Sequence, residues 1–305
     1  MRLYLNHKIV SLILNIFIIA MINICTVIAI MFVFFPDLSF SAQIHDKIVL
    51  MYQVQKNVTD YELALLKNKG VNFIQSFSLI TWSDPEIRDY LDRAHKHGLK
   101  VIVSLCGFLK QDRSKAFKET EISLSDFKKS VDNFIRKWKY HPAIALWHTI
   151  DEPKEVYKRV SKKNQEEIYN FVKRCDPGRL IMISQNLTNQ KEYDEYFSEQ
   201  AFDILDIHAY VNPEISKVQS DLINLFRINR RKRYPLIITF RAFNGSGWED
   251  LREDSLQKQY DYFIIQANLT MNYGFYGWQL DARHGNYGIS QVEYIKKQFI
   301  NLSTR

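Results

Sequence analysis

From Lys47 onward, short runs of apolar and β-branched residues alternate with longer segments whose apolar residues recur at helical spacing. The short runs predict eight strands: Ile48–Val54, Val71–Phe77, Lys100–Leu105, Ile144–Ile150, Leu180–Ser184, Ile204–Tyr210, Leu236–Phe240 and Phe275–Leu280. The longer segments predict helices that include Asp84–His97, Ser123–Tyr140, Val156–Arg174, Glu214–Arg230, Leu256–Asn272 and Gln291–Leu302. Strands that alternate with helices are typical of a parallel sheet covered by helices.

Glycine or proline stands at six predicted helix-to-strand junctions, where a helix has to stop before the next strand begins. Eight such units after position 46 match the usual size of a (β/α)8 TIM barrel, about 250 residues. An open α/β sheet is the alternative fold. However, no glycine-rich turn follows the first strand, so the sequence does not support a dinucleotide site.

The N-terminal segment Ile9–Phe35 contains no charged residue and is long enough to span a bilayer. It predicts a transmembrane signal-anchor helix over residues 9–35. Residues 1–8 then form a short cytoplasmic tail that carries Arg2 and Lys8, and residues 36–46 are a tether. Residues 47–305 form the barrel on the extracytoplasmic side of the cell membrane. A cleaved signal peptide, with small residues at Ser39–Ala42, is the alternative and would make the barrel a secreted protein.

Composition narrows the function classes. A chain that is 46% hydrophobic with few glycines and prolines is not disordered. The net charge of +7 is most simply explained by lysines on solvated helix faces, although an acidic polysaccharide or lipid headgroups would also suit it. Export and the lack of a recognition motif argue against nucleic acid. We expect no metal, since no histidine or cysteine spacing suits an ion, and we expect no cofactor. We also expect a monomer.

The most informative stretch is His141–Pro153, an apolar strand that ends in two adjacent carboxylates and a proline. It resembles the fourth strand of clan A glycoside hydrolases, which ends in Asn-Glu-Pro. The resemblance implies that Glu152 is the general acid/base, with Asp151 at the position of the family's asparagine. Glycoside cleavage needs a carboxyl group that protonates the leaving oxygen. Taken alone, Asp-Glu-Pro could simply be a capped helix start.

Two further strands support the resemblance. The run from Asp203 to Tyr210 is similar to the clan's sixth strand, where a His-x-Tyr pair lines the sugar site, and this implies substrate contacts for His208 and Tyr210. The run Tyr276-Gly-Trp278 resembles the aromatic platform of strand eight and implies that Trp278 stacks on a sugar. The alternatives are a histidine and a tyrosine that fill the barrel, and a tryptophan in the core.

The seventh strand departs from the family pattern. Clan A enzymes carry their nucleophile, a glutamate, at its end, whereas here the run from Pro235 to Phe243 places Phe240 or Arg241 there. A second carboxylate would have to come from elsewhere, and we prefer Asp281 because it follows the strand of the implied platform. Glu249, Asp250 and Asp206 are the other candidates. Arg241 is then expected to bind a substrate carboxylate or to pair with a nearby acid.

The sequence thus predicts a membrane-anchored glycosidase that acts on a polysaccharide or oligosaccharide. Its catalytic residues are Glu152 and Asp281, and its substrate-binding residues are Asp151, His208, Tyr210, Arg241 and Trp278. The competing hypothesis is a degenerate barrel that binds glycan without cutting it, because the strand-seven glutamate is missing.

Overall fold

The computed structural model describes residues 47–109, 124–153, 160–186, 190–210, 235–245, 250–252, 254–266, 272–280 and 282–302. The predicted tail, anchor and tether, the predicted helix Glu214–Arg230, and Asp281 and Glu249 lie outside these ranges. Within the part of the chain that is described, no helix is both long and apolar enough to cross a membrane.

The predicted TIM barrel is confirmed, because eight parallel strands pair in chain order and close on themselves. The strands are β1 Val49–Tyr52, β2 Phe73–Ser76, β3 Lys100–Ser104, β4 Ile144–Asp151, β5 Leu180–Asn186, β6 Ile204–Ala209, β7 Leu236–Arg241 and β8 Asn272–Tyr276. Each predicted strand therefore exists, although the ends differ by a few residues.

Helices cover the barrel from outside. Those described are α1 Asp60–Asn68, α2 Asp84–Lys96, α3 Leu124–Trp138, α4 Lys162–Cys175, α5 Gln190–Tyr196, α6 Ser255–Tyr260 and α7 Glu293–Asn301. Helix α2 ends where predicted, since Gly98 adopts φ +67° directly after it and its N–H bonds to the carbonyl of His95.

The region between α6 and β8 corrects the prediction. The expected helix Leu256–Asn272 is instead a π-helix over Asp261–Gln266. Asn272 already begins β8, for which the sequence predicts Phe275–Leu280. The Asn272 side chain accepts a hydrogen bond from the Ile48 backbone at 2.7 Å, which fixes the early start. The strand ends early because Gly277 turns the chain with φ +107°.

Alternation along the strands separates two environments. Residues that face outward, such as Met51, Val103 and Phe240, pack against the helices in one hydrophobic core. The inward face becomes polar toward the carboxyl ends of the strands, where its buried residues include Gln75, Ser104, His148, Ser184, Asp206, His208, Thr239 and Arg241. Function is therefore expected at this end, as in other barrels of this fold.

Candidate active site

The end of β4 brings two successive carboxylates to the same place. Neighbouring residues of a regular strand point to opposite faces, but β4 has a register irregularity between His148 and Ile150, and Glu152 adopts φ +50°. The Glu152 backbone N–H bonds to the carbonyl of Ser184 at 2.9 Å, which holds this conformation. Strained backbone of this kind is held in place only by its surroundings and is common in active sites.

The alternative in which Asp151 caps a helix does not describe α4. That helix begins at Lys162 and is capped by Ser161, whose side chain accepts a hydrogen bond from the Asn164 backbone. Asp151 is instead the last residue of β4, and both Asp151 and Glu152 are only partly buried. The two side chains are therefore placed at the mouth of the barrel.

His208 on β6 connects the Glu152 carboxylate to the interior. Its Nδ1 lies 3.4 Å from Glu152 Oε1, and its Nε2 lies 3.1 Å from Asp206 Oδ2. The contact with Asp206 is an ion pair rather than a well-aligned hydrogen bond. Burial opposes a charge on this ring, which is 2% exposed, but the attraction of Asp206, Glu152 and Asp151 prevails and raises the pKa of His208 to about 10. His208 is thus an imidazolium at neutral pH.

Asp206 lies beneath His208 and is fully buried. Its Oδ1 accepts a hydrogen bond from Thr239 at 2.7 Å, and its Oδ2 accepts one from Ser184 at 2.9 Å and another from the Tyr52 hydroxyl. Burial alone would raise the pKa of Asp206, but His208 and these donors hold it below the ordinary value. A carboxylate with both oxygens occupied and no exposure is not the second catalytic group, so that candidate role for Asp206 is wrong.

Aromatic rings surround the His208 imidazolium. The Tyr210 ring stacks on His208 at 5.1 Å between centroids, and Tyr276 lies 5.4 Å from Tyr210. Tyr52 and Phe77 complete this wall, with their ring centroids 5.9 Å apart. The predicted position of Tyr210 beside His208 therefore holds. The sequence reasoning missed Tyr52 and Phe77, although both lie at the carboxyl ends of their strands, which could have been used to find them.

The structure decides which residue of β7 faces inward. Phe240 stacks on Phe263 of the outer layer with centroids 5.3 Å apart, so Arg241 points to the opposite face. Arg241 is 1% exposed, donates from Nε to the Phe243 carbonyl at 3.0 Å, and holds its guanidinium over the Phe243 ring. The inward end of β7 therefore carries a cation. Asp281 and Glu249 lie outside the described residues, and Asp250 is exposed.

Trp278 does not lie where the sequence implied. It follows β8 rather than belonging to it, is 1% exposed, and packs edge-to-face on Phe299 of α7 with centroids 6.0 Å apart. The turn at Gly277 rotates the chain so that Trp278 faces the core, whereas Tyr276 faces the site. The expectation of a sugar platform at Trp278 is therefore wrong, and the alternative of a core tryptophan is correct.

A second buried histidine, His148 on β4, has mostly uncharged neighbours. Its Nε2 donates to the Ile150 carbonyl at 3.0 Å, so its Nδ1 is free to accept the Gln75 amide at 2.7 Å. The thiol of Cys106 lies 3.6 Å from the same Nδ1. Burial lowers the pKa of His148 to about 4, against the attraction of Asp151 and Asp206. This ring is neutral at physiological pH.

Of the described residues, only Asp151, Glu152 and His208 form a group that could hold a metal ion, with one ligand atom from each within 4.8 Å of the others. The same spacing also lets the two carboxylates and the imidazole act together in proton transfer.

A (β/α)8 barrel with a carboxylate at the end of β4, set against a His-x-Tyr strand, defines the class of glycoside hydrolase-like barrels. The comparison of sequence families agrees, because residues 87–267 match the model of glycosyl hydrolases family 2, TIM barrel domain. The chain belongs to this family. No curated protein matches the chain in sequence.

Several solved structures with a similar fold are glycosidases. The β-D-glucuronidase of Dictyoglomus thermophilum superposes with a TM-score of 0.56 at 18% identity, covering 84% of this chain and 50% of that one. The β-galactosidase of Marinomonas ef1 gives a TM-score of 0.60 at 11% identity, over 84% of this chain and 58% of that one. A β-glucuronidase from an uncultured Clostridium gives 0.57 at 15% identity, over 83% and 50%. At these identities the likeness concerns the fold, and this chain spans about half the length of those proteins.

Proposed function

We propose that this protein is a glycoside hydrolase that acts on an oligosaccharide or polysaccharide, with Glu152 as the general acid/base. The observation that carries the proposal is the placement of the Glu152 carboxylate at the barrel mouth, 3.4 Å from His208 Nδ1 and beside the rings of Tyr210 and Tyr276. Aromatic faces suit the apolar faces of pyranose rings, and the carboxyl group supplies the proton that the leaving oxygen needs.

In this mechanism Glu152 protonates the glycosidic oxygen as the bond to the anomeric carbon breaks, and then deprotonates the water that completes hydrolysis. His208 and the floor formed by Asp206, Tyr52 and Thr239 fix the acid/base on one side of the sugar. Asp281 remains our sequence-based candidate for a second carboxylate. Arg241, the inward residue at the end of β7, is our candidate for binding an anionic substituent of the substrate.

The proposal includes a membrane location. The uncharged segment Ile9–Phe35 would anchor the chain in the cell membrane, with the barrel on the extracytoplasmic side. Two experiments test this: we expect the chain to stay in the membrane fraction during alkaline carbonate extraction, and we expect protease added to intact cells to cleave it. Release into the medium with loss of the N-terminus would instead indicate a cleaved signal peptide.

The test of function is a hydrolysis screen of the full-length chain in detergent against polysaccharides and chromogenic glycosides, with Glu152→Gln as the variant. Loss of the acid/base is expected to lower kcat/KM by about 10²–10⁴-fold. Glu195→Gln on α5 is the matched control, because this glutamate is exposed and lies outside the site. Equal activity of Glu152→Gln and the control would contradict the proposal.

Strand β7 favours a second candidate function, a barrel that binds glycan without hydrolysing it. Arg241 cannot form a glycosyl-enzyme ester, and β7 contains no carboxylate. Saturable binding of a glycan array without release of reducing sugar would support this alternative over the enzyme.

A further inference from the structure

We propose that the substrate is a β-linked 2-acetamido-2-deoxy sugar, that its own acetamido oxygen is the nucleophile, and that Asp151 holds the acetamido N–H. This inference rests on the proposed role of Glu152 as acid/base. The acetamido group of the substrate then takes the place of a second carboxylate from the protein.

Among the strands that the structure describes, no carboxylate is placed to act as an enzymic nucleophile. A retaining hydrolase with an enzymic nucleophile places a second carboxylate about 5–5.5 Å from the acid, across the sugar ring. Strand β7 has none, and both oxygens of the buried Asp206 are occupied. Asp151 is the last residue of β4 and Glu152 is the next residue, so their carboxylates lie on the same wall of the pocket. Displacement at the anomeric carbon needs the acid and the nucleophile on facing walls.

Asp151 lies beside the Glu152 carboxylate at the end of β4. The irregularity in β4 and the positive φ of Glu152 bring both carboxylates to one place, with an oxygen of each within 4.8 Å of the other and of His208. An ionised carboxylate can only accept hydrogen bonds, whereas the asparagine that clan A enzymes have here also donates. An aspartate here therefore suits a substrate group that donates a hydrogen bond, such as an amide N–H on the sugar next to the bond that Glu152 cleaves.

These two features fit one reaction. The acetamido oxygen attacks the anomeric carbon, the bond from that carbon to the leaving oxygen breaks, and Glu152 gives its proton to the leaving oxygen. The product is a bicyclic oxazolinium ion whose N–H is bound and whose charge is balanced by Asp151. Glu152 then takes a proton from water, which attacks the same carbon and reopens the ring. The net change is hydrolysis with retention, and no oxidant or further co-reactant takes part.

The pocket wall is compatible with the acetyl group. The rings of Tyr210 and Tyr276 stand 5.4 Å apart next to His208, and Phe243 lies 5.7 Å from Tyr276. Such apolar surfaces receive a methyl group favourably. Intramolecular attack also supplies a large rate advantage, because the nucleophile is already attached in the right orientation.

The experiment compares matched aryl β-glycosides that differ only at carbon 2, using the full-length chain in detergent. We expect the 2-acetamido glycoside to be cleaved about 100-fold faster or more, in kcat/KM, than the 2-hydroxy glycoside. Replacing the acetyl group with mono-, di- and trifluoroacetyl groups should lower kcat/KM stepwise, because each fluorine weakens the attacking oxygen. A thiazoline analogue of the bicyclic intermediate should inhibit the wild-type protein.

Asp151→Asn is expected to lower kcat on the 2-acetamido glycoside by about 10²–10³-fold. Asp126→Asn, an exposed change on α3, is the matched control. The fluorine series and the thiazoline use the wild-type chain, so they remain informative if Asp151→Asn fails to fold.

The outcomes separate this inference from the proposed function. Two outcomes would overturn the inference and leave the proposed glycosidase intact. In the first, cleavage depends on Glu152 but is equally fast for 2-hydroxy and 2-acetamido glycosides. In the second, activity is lost in Asp281→Asn but kept in Asp151→Asn. Cleavage of none of these glycosides, together with none in the wider polysaccharide screen, would overturn both. Stepwise loss with fluorination together with thiazoline inhibition would support it.

Discussion

His148 and His208 lie two strands apart inside the same barrel and are equally buried, yet they carry different charges. The pKa of His148 falls to about 4, whereas that of His208 rises to about 10. Burial opposes the charged form of both rings. The difference comes from the immediate neighbours, which are an amide, a carbonyl and a thiol for His148 and the carboxylates of Asp206 and Glu152 for His208.

This contrast shows how the barrel distributes charge. The interior near β2 to β4 is polar around His148, and the charged pair of His208 with Asp206 and Glu152 lies toward the carboxyl ends of β4 and β6. The His208 cation, which lies 3.4 Å from the Glu152 carboxylate, is thereby held at one point of the pocket wall. The same barrel thus contains a neutral buried histidine, His148, and a charged one, His208.

The largest expected effect comes from removing the counter-ion of His208. Asp206→Asn leaves an imidazolium buried without its closest anion and places an amide among the donors Tyr52, Ser184 and Thr239. Breaking a buried ion pair on one side costs about 3–5 kcal/mol. Urea unfolding of the full-length chain in detergent at pH 7 measures this loss.

An exposed ion pair provides the control for Asp206→Asn. Asp254, directly before α6, and Lys258 on α6 lie 3.0 Å apart but are both more than half exposed, so Asp254→Asn should cost less than about 1 kcal/mol. If the two variants unfold at the same urea concentration, the buried pair does not support the barrel and the contrast between the two histidines loses its structural meaning.

The sequence was sufficient for the fold because the signals for it are local. Apolar periods and the glycines at helix ends, such as Gly98, predicted eight strands in order. The direction of single side chains near strand ends was harder, since an irregularity in β4 and the turn at Gly277 reverse the alternation there. Regular alternation therefore predicts Trp278 in the pocket, although it lies in the core.

The charge states could not be predicted either. His208 and Asp206 were visible on one face of a strand, but Tyr52 and Thr239 come from distant parts of the sequence and meet Asp206 only in the closed barrel. The identity of the inward residue on β7, Arg241 rather than Phe240, likewise depends on packing against Phe263.

The second prediction tests the neutral member of the pair. Because the folded-state pKa of His148 is lowered to about 4, its contribution to stability is present above about pH 6.5 and is lost as the pH falls toward 4. The loss amounts to about 3 kcal/mol for a shift of this size. His148→Gln keeps a donor and an acceptor but cannot titrate, so the wild-type minus variant stability difference should shrink over this range in urea unfolding. A constant difference would show that folding does not lower the pKa of His148.

The last prediction concerns the rate rather than the stability. If Glu152 must be protonated to act as the acid, kcat/KM falls on the basic side of the pH profile as that proton is lost. His208 favours the ionised carboxylate from 3.4 Å. His208→Gln removes this charge and should move the basic limb to higher pH by about 1 unit. A general loss of activity without movement of the limb would mean that His208 only fills space. A limb that moves to lower pH would mean that His208 favours the protonated form of Glu152, which would contradict the electrostatic role. Because a packing defect lowers the rate at every pH alike, the position of the limb separates an electrostatic role from a structural one, and it does so in a single variant.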